Sequence, residues 1–274
     1  MDLQERDAMG RMMLSVAAQA GDVGEVEELI GLGSELESRD LDQDTALIIA
    51  SEFSHADCAL ALIRAGADLE ARNKLGRSAL HKACTGPDLT VVHLLLRHGA
   101  EVNTKDSFGY TPLLEAGRSR GGQDCAMALL EAGADVTNRG WNGNTALHYA
   151  ACWCWMPVVR LLLQRGADPD VKDDDGKAPV DYCQGLWKQF PQFYTGCTEE
   201  AKEEVVTVLT QASLANARWE GRRLLVLLQA NHDKGHNIVE HNEGVTISSD
   251  QVRLQKLVLW VVGLPDHEMQ ELFR

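Results

Sequence analysis

Residues 142–173 read NGNTALHYAACWCWMPVVRLLLQRGADPDVKD, and the reading of this stretch decides the fold. Thr145 stands where a hydroxyl can cap the free N–H groups of a starting helix. Ala146, Leu147 and the small pair Ala150-Ala151 give that helix a face that a neighbour can approach closely. Val158-Val159 and Leu162-Leu163, four residues apart, mark one side of a second helix. Gly166 suits a left-handed C-terminal cap, which other residues adopt only at a cost. Asp173-Asp174-Asp175-Gly176 then has the Asp and Gly endpoints of a tight turn, as Gly140-Trp141-Asn142-Gly143 has before the stretch. The opening phrase returns upstream as Thr45-Ala46-Leu47-Ile48, Ser78-Ala79-Leu80-His81 and Thr111-Pro112-Leu113-Leu114, and downstream, weakly, as Ala178-Pro179-Val180-Asp181. The steps are 33, 33, 34 and 33 residues, and Gly33, Gly66, Gly99, Gly133 and Gly166 keep the same beat. A unit of helix, loop, helix and hairpin-like turn cannot bury its apolar face alone, so neighbouring units must stack.

The period and the Thr-Ala-Leu-His phrase resemble the ankyrin-repeat family over residues 12–182, most strongly in 75–103 and 142–173. The resemblance implies an all-α ankyrin-repeat solenoid with hairpin-like turns, extended here by C-terminal helices. It also implies that His81 and His148 are structural, bonding between neighbouring turns. The register places an array over 11–214, with units near 11–43, 44–76, 77–109, 110–143, 144–176 and 177–214. Stepping back from Leu47 and Ala50 lands on Leu14 and Ala17, so the first unit reads as a cap that has lost its Thr phrase. The last unit carries an insertion at 184–197, after which Thr198, Glu199 and Glu200 open an outer helix with a stripe of Val205, Val206, Val208 and Leu209. A C-terminal extension, 215–274, loses the period: 218–229 reads as a helix interrupted at Gly221, 231–249 as a loop, and 252–262 as strongly apolar. The chain stops within what reads as one more short helix, so a longer protein is an open expectation.

The 274 residues carry 41 acids against 26 bases, a net charge of −15. That balance disfavours the phosphate backbone of nucleic acid and an anionic membrane surface. It suits a solvated, monomeric solenoid, and leaves room for a basic protein partner. No stretch approaches the roughly 20 apolar residues of a membrane span, and the start lacks a signal-peptide pattern. Seven cysteines scattered over the repeats favour reduced thiols, and so a cytoplasmic or nuclear protein. Cys152-Trp153-Cys154-Trp155 has no second Cys pair to complete a zinc site, so its thiols read as packed or free, with no metal or cofactor expected. His232, His236 and His241 lack neighbouring ligands. Phosphate loops, nucleophile elbows and dinucleotide fingerprints are absent, so the expectation is a non-catalytic chain.

What remains is surface recognition along the concave face and hairpin tips that stacked repeats present. By register, the candidate partner-binding residues are Ile49, Glu52, Lys82, Glu115, Arg118, Tyr149 and Tyr182 on the first helices, with Lys74, Phe108, Trp141 and Asn142 at the tips. Trp, Tyr and Arg dominate interface energetics, although a tip aromatic can instead pack on the next hairpin. The function expected is a scaffold or adaptor. Two alternatives are a substrate-receptor adaptor, such as one of a ubiquitin ligase, recruited through the tail, and the binding part of a truncated enzyme. The family resemblance also implies a hydroxylation site at Asn103; the equivalent positions are Glu37, Glu70, Thr137 and Asp170. Finally, Trp153 and Trp155 are expected to cluster with Trp187, Phe190, Phe193 and Tyr194 of the insertion, sealing the end of the array.

Overall fold

A computed structural model describes residues 13–86, 88–119, 121–184 and 198–233, with side chains through 183 and again from 198 to 216. The described residues are helical and contain no strand. Five helix pairs succeed one another: α1 (Met13–Ala20) and α2 (Val23–Gly31), α3 (Ala46–Glu52) and α4 (Ala56–Arg64), α5 (Ala79–Ala83) and α6 (Thr90–Arg97), α7 (Pro112–Arg118) and α8 (Gln123–Glu131), α9 (Ala146–Cys152) and α10 (Met156–Gln164). After them come α11 (Pro179–Gln184) and α12 (Glu199–Asp233). The chain divides into two units after Val206.

In the first unit the repeated phrase starts each inner helix. The Thr45 and Thr111 hydroxyls accept from the amides of Ile48 and Leu114, both at 3.4 Å, and Pro112 sits at a first-turn position where its missing N–H costs nothing. Leu47, Leu80, Leu113 and Leu147 are buried between the stacked helices, and Leu62, Leu95, Leu129 and Leu162 bury the outer row beneath them. Gly33, Gly66, Gly99, Gly133 and Gly166 end the outer helices at φ between +85° and +95°, where a side chain would be strained.

His81 and His148 stitch units together. Each Nδ1 accepts the amide of its own helix cap, Ser78 at 3.2 Å and Thr145 at 3.1 Å. Each Nε2 lies 3.1 Å from a carbonyl of the next hairpin, Tyr110 for His81 and Lys177 for His148. Burial holds both imidazoles below the usual His range, and only the neutral ring can accept at one nitrogen while donating at the other.

The hairpin-like turns close through a backbone bond from first to fifth residue, as in Asp40 to Asp44, Asn73 to Arg77, Asp106 to Tyr110, Gly140 to Asn144 and Asp173 to Lys177. In four of the five, the Oδ1 of Asp40, Asn73, Asp106 or Asp173 also accepts two amides of its own turn at 2.8–3.0 Å. Gly140 has no side chain to do this. Its missing Cβ would lie 2.8 Å from Cε1 of Tyr110, so the tyrosine ring of the preceding turn occupies the space.

Two features differ from expectation. The first concerns the tail: α12 is one continuous helix to Asp233, running through Gly221 and past the start of the expected loop at 231. Residues 215–220 (ANARWE) are mostly good helix formers, and a single Gly costs only about 1 kcal/mol, too little to stop a helix by itself. At its start, the Thr198 hydroxyl accepts the Ala201 amide at 3.2 Å, Val205 and Leu209 are buried, and Arg160 of α10 pairs with Glu204 at 2.9 Å. The second concerns cysteine. Cys58, Cys84, Cys125 and Cys183 are buried free thiols as expected, but Cys154 is disulfide-bonded. Of the expected aromatic cluster, only the Trp153 and Trp155 pair lies within the described residues. Trp153 and Trp155 stack at 6.3 Å, Trp155 is buried, and Trp153 Nε1 donates to the Gly117 carbonyl of the preceding unit at 2.8 Å. Trp187, Phe190, Phe193 and Tyr194 lie outside the described residues.

Candidate recognition surface

Successive hairpin tips touch through the third residue of one turn and the second of the next. The Lys74 amide bonds to the Asp42 carbonyl at 3.0 Å, Ser107 to Leu75 at 2.9 Å and Asp174 to Asn142 at 3.2 Å. The side chains follow the same rule: the Lys74 ammonium pairs with the Asp42 carboxylate, which lowers the carboxyl pKa and raises that of the amine. One step along, the Phe108 and Trp141 rings meet at 6.4 Å, tilted by 45°. Packing on the next hairpin therefore does occur, but it leaves Trp141 78% and Phe108 46% exposed.

Behind these tips lies a polar and aromatic network built from three inner helices and the turns before them. Glu115 on α7 is buried, its Oε1 accepting from Arg77 at 2.7 Å and from Arg118 at 3.2 Å. Arg77 also reaches Asp106 at 3.2 Å. Arg118 lies over the Tyr110 ring, 4.9 Å from its centroid, and keeps nearly half of its side chain in solvent. The Tyr110 hydroxyl donates to Asn142 Oδ1 at 3.4 Å. Tyr149 on α9 bonds to Tyr110 and Asn144, while its Cβ and ring edge press on Gly117, whose added Cβ would fall 2.8 Å away. The Tyr182 hydroxyl sits 2.6 Å from Asp173 Oδ2 and 2.7 Å from Asn144 Oδ1, and its ring meets His148 edge-on at 5.1 Å. Burial raises the Tyr149 and Tyr182 hydroxyls well above the usual tyrosine range, with the Asp173 carboxylate adding to the effect at Tyr182, so both remain neutral donors. Burial pushes the Asp173 carboxyl up, but the bonds from Tyr182 and from two amides outweigh it and leave it low.

The contacts thus join Phe108, Trp141, Asn142, Arg118, Glu115, Tyr149 and Tyr182 of the expected set. Glu52 and Lys82 form a separate pair at 2.9 Å near the other end, beside the Lys74 tip. Ile49 needs correction: it is 5% exposed, packed among the inner helices as an aliphatic residue would be, and offers a partner no surface. Glu115, equally buried, orients the two arginines rather than facing a partner. Tyr110 was missed, although the signal was present: the residue before the Thr phrase is Asp44, Arg77, Asn144 or Lys177 elsewhere and aromatic only here.

Asn103 is exposed, and its Oδ1 accepts the Asp135 amide at 2.8 Å. Glu37 and Glu70 do the same for Asp68 and Glu101, at 2.8 and 2.7 Å, so this position links each of the first three units to the next. Among the described residues no group of three or more His, Cys, Asp or Glu could hold a metal ion, and no helix is long and apolar enough to cross a membrane.

A family model described as ankyrin repeats (3 copies) matches residues 14–106, 63–140 and 87–173, more than half of the chain. The chain belongs to the ankyrin-repeat family. Ankyrin repeats are a non-catalytic protein-interaction fold, and the array is such a module. Similar proteins include the E3 ubiquitin-protein ligase hecd-1 of Caenorhabditis elegans, 48% identical over 61 residues, which are 22% of this chain and 2% of that protein. Protein phosphatase 1 regulatory subunit 27 of Homo sapiens is 34% identical over 78 residues, 28% of this chain and 51% of the relative. The putative E3 ubiquitin-protein ligase XBAT34 of Arabidopsis thaliana is 43% identical over 75 residues, 27% and 20% of the two chains. The chain spans about half, or far less, of the length of these relatives.

Proposed function

We propose that the ankyrin array is a scaffold or adaptor that holds a protein partner on the face made by Phe108, Trp141, Asn142, Arg118, Tyr149 and Tyr182. The observation that carries this is the contact chain itself. It brings residues of the types that dominate interfaces, with Trp141 largely and Arg118 nearly half open to solvent, into one continuous patch over three successive turns. Glu52, Lys74 and Lys82 would extend the contact toward the first units. The net charge of −15 favours a basic partner and disfavours nucleic acid or an anionic membrane. We take the array to run over 11–214 in six units and the extension over 215–274, with the protein acting as a monomer in the cytoplasm or nucleus. The test is affinity capture with wild type and an Arg118→Ala/Trp141→Ala double variant of equal melting temperature. The same proteins retained by both would refute the reading.

A second reading has some support in the relatives named as ubiquitin ligases, although what they share with this chain is a short stretch. In it, the array selects a substrate and the extension recruits a ligase; loss of ligase association on deleting 234–274, with partner capture intact, would separate it from a plain scaffold. Asn103 is retained as a site of hydroxylation, and its bond to the Asp135 amide means that an enzyme must first peel this link open.

A further inference from the structure

The row of hairpin tips changes character along its length. Asp42 and Lys74 neutralise each other at one end. Leu75, Phe108 and Trp141 follow as an apolar stretch over three successive turns, increasingly exposed toward Trp141. The next tip is Asp174-Asp175, both exposed. The cations nearby offset this pair only in part. Arg139 is committed to the Lys172 carbonyl at 2.6 Å and stands 3.8 Å from Asp174, whose side chain stays 64% exposed. Among the described residues the Asp175 carboxylate has no ion-pair partner, and Lys172 and Lys177 are themselves exposed at the flanks.

An open indole with carboxylates one turn away matches a particular occupant. The face of Trp is the best aromatic partner for a Lys or Arg, and an adjacent carboxylate adds charge complementarity to it. Stacked helices repeat at about 8–10 Å, and an extended chain advances about 3.3 Å per residue, so one tip-to-tip step corresponds to roughly three residues of a strand laid along the row. We propose that the ridge from Phe108 to Asp175 docks an extended segment of a partner protein, with an apolar residue against Phe108 and Trp141 and a Lys or Arg about three residues away against Trp141, Asp174 and Asp175. The proposal rests on the reading of the array as a protein-binding module and adds to it the occupant's chemistry and the direction in which it lies. An acidic segment would meet the Asp174 and Asp175 carboxylates and be repelled.

The test is selection of a random dodecapeptide display library on the full chain, followed by fluorescence anisotropy with synthetic copies of the enriched peptides. Expected sequences pair an aromatic or aliphatic residue with Lys or Arg two to four positions away. Their affinity should fall tenfold or more in Trp141→Ala, several-fold in Asp174→Asn/Asp175→Asn, and several-fold between 50 and 300 mM salt. Replacing the basic residue of a peptide by Glu should abolish binding. Enriched peptides that are acidic, or that bind both variants unchanged, overturn the proposal. Peptides lost in Arg118→Ala/Tyr149→Ala but kept by the ridge variants overturn it while sparing the protein-binding reading; a library that enriches nothing on the folded array counts against both.

Discussion

Gly117→Ala should destabilise the array, whereas the same change at Gly31 should stabilise it. Both glycines lie in helices, and neither has a positive φ. Replacing a helical Gly by Ala is worth up to about 1 kcal/mol, and near a helix end somewhat less. At Gly31 nothing lies within 4 Å of the added Cβ, so that gain stands alone. At Gly117 the added atom falls 2.8 Å from the Cβ of Tyr149 and 3.0 Å from its Cδ2. A Cβ cannot rotate away, so α7 and α9 must separate, and forced overpacking costs about 1–3 kcal/mol. Separation also strains the 2.8 Å bond from Trp153 to the Gly117 carbonyl, worth about 1 kcal/mol. The balance is a loss of about 1–3 kcal/mol. Urea unfolding followed by far-ultraviolet circular dichroism measures it, with Gly31→Ala moving the midpoint upward. Tyr149→Ala should not rescue Gly117→Ala, because the offending Cβ remains. Equal stabilisation by both glycine substitutions would refute the close approach of α7 and α9.

Leu113→Ala should cost about 2–5 kcal/mol as a core truncation, and an unchanged unfolding midpoint would mean that the repeat register is wrong. Glu115→Ala leaves Arg77 and Arg118 without their shared carboxylate; since both guanidiniums are partly solvated, the expected loss is about 2–3 kcal/mol, below that for a fully buried pair, and a loss under 0.5 would show the pair to be unimportant. His81 and His148 are held below their unfolded value of 6.5, so the unfolded chain binds more protons as pH drops. Their stabilisation is complete above that value and is lost as pH falls below it, by up to about 1.4 kcal/mol per pH unit for each ring. His81→Gln should remove one such slope between pH 6.5 and 5.5, and an unaltered pH profile would contradict the neutral-ring bridge. Incubation with an asparaginyl hydroxylase should add one oxygen to the peptide bearing Asn103, read by mass spectrometry; oxygen at another residue, or none, would count against the site.

The repeat was legible because it is written in local chemistry. Thr45, Thr111 and Thr145 precede helices for reasons contained within four residues, and the small pair Ala150-Ala151 announced a close approach before any partner was known. What escaped depends on distant neighbours. Ile49 and Tyr149 share a register position, yet the aliphatic one turns into the core while the aromatic one finds two hydroxyl or amide partners at the surface. Tyr110 acts on a glycine thirty residues away, which no local pattern expresses. Past Thr198 the error ran the other way: Gly221 and the fading period suggested a break, but a helix needs only an adequate run of formers to continue, and α12 has one.

The turn that begins at Gly140 has a consequence for how such an array can change over time. Four of the five turns carry their own clamp in an Asp or Asn, and a unit bearing one could be duplicated, deleted or moved with its turn intact. The fifth has handed that task to Tyr110, which stands at the opposite end of the same 110–143 unit and whose hydroxyl reaches Asn142. That unit can therefore be duplicated or moved only whole. A break inside it, between Tyr110 and Gly140, would leave a hollow turn on one side and, on the other, a tyrosine with no glycine to cover.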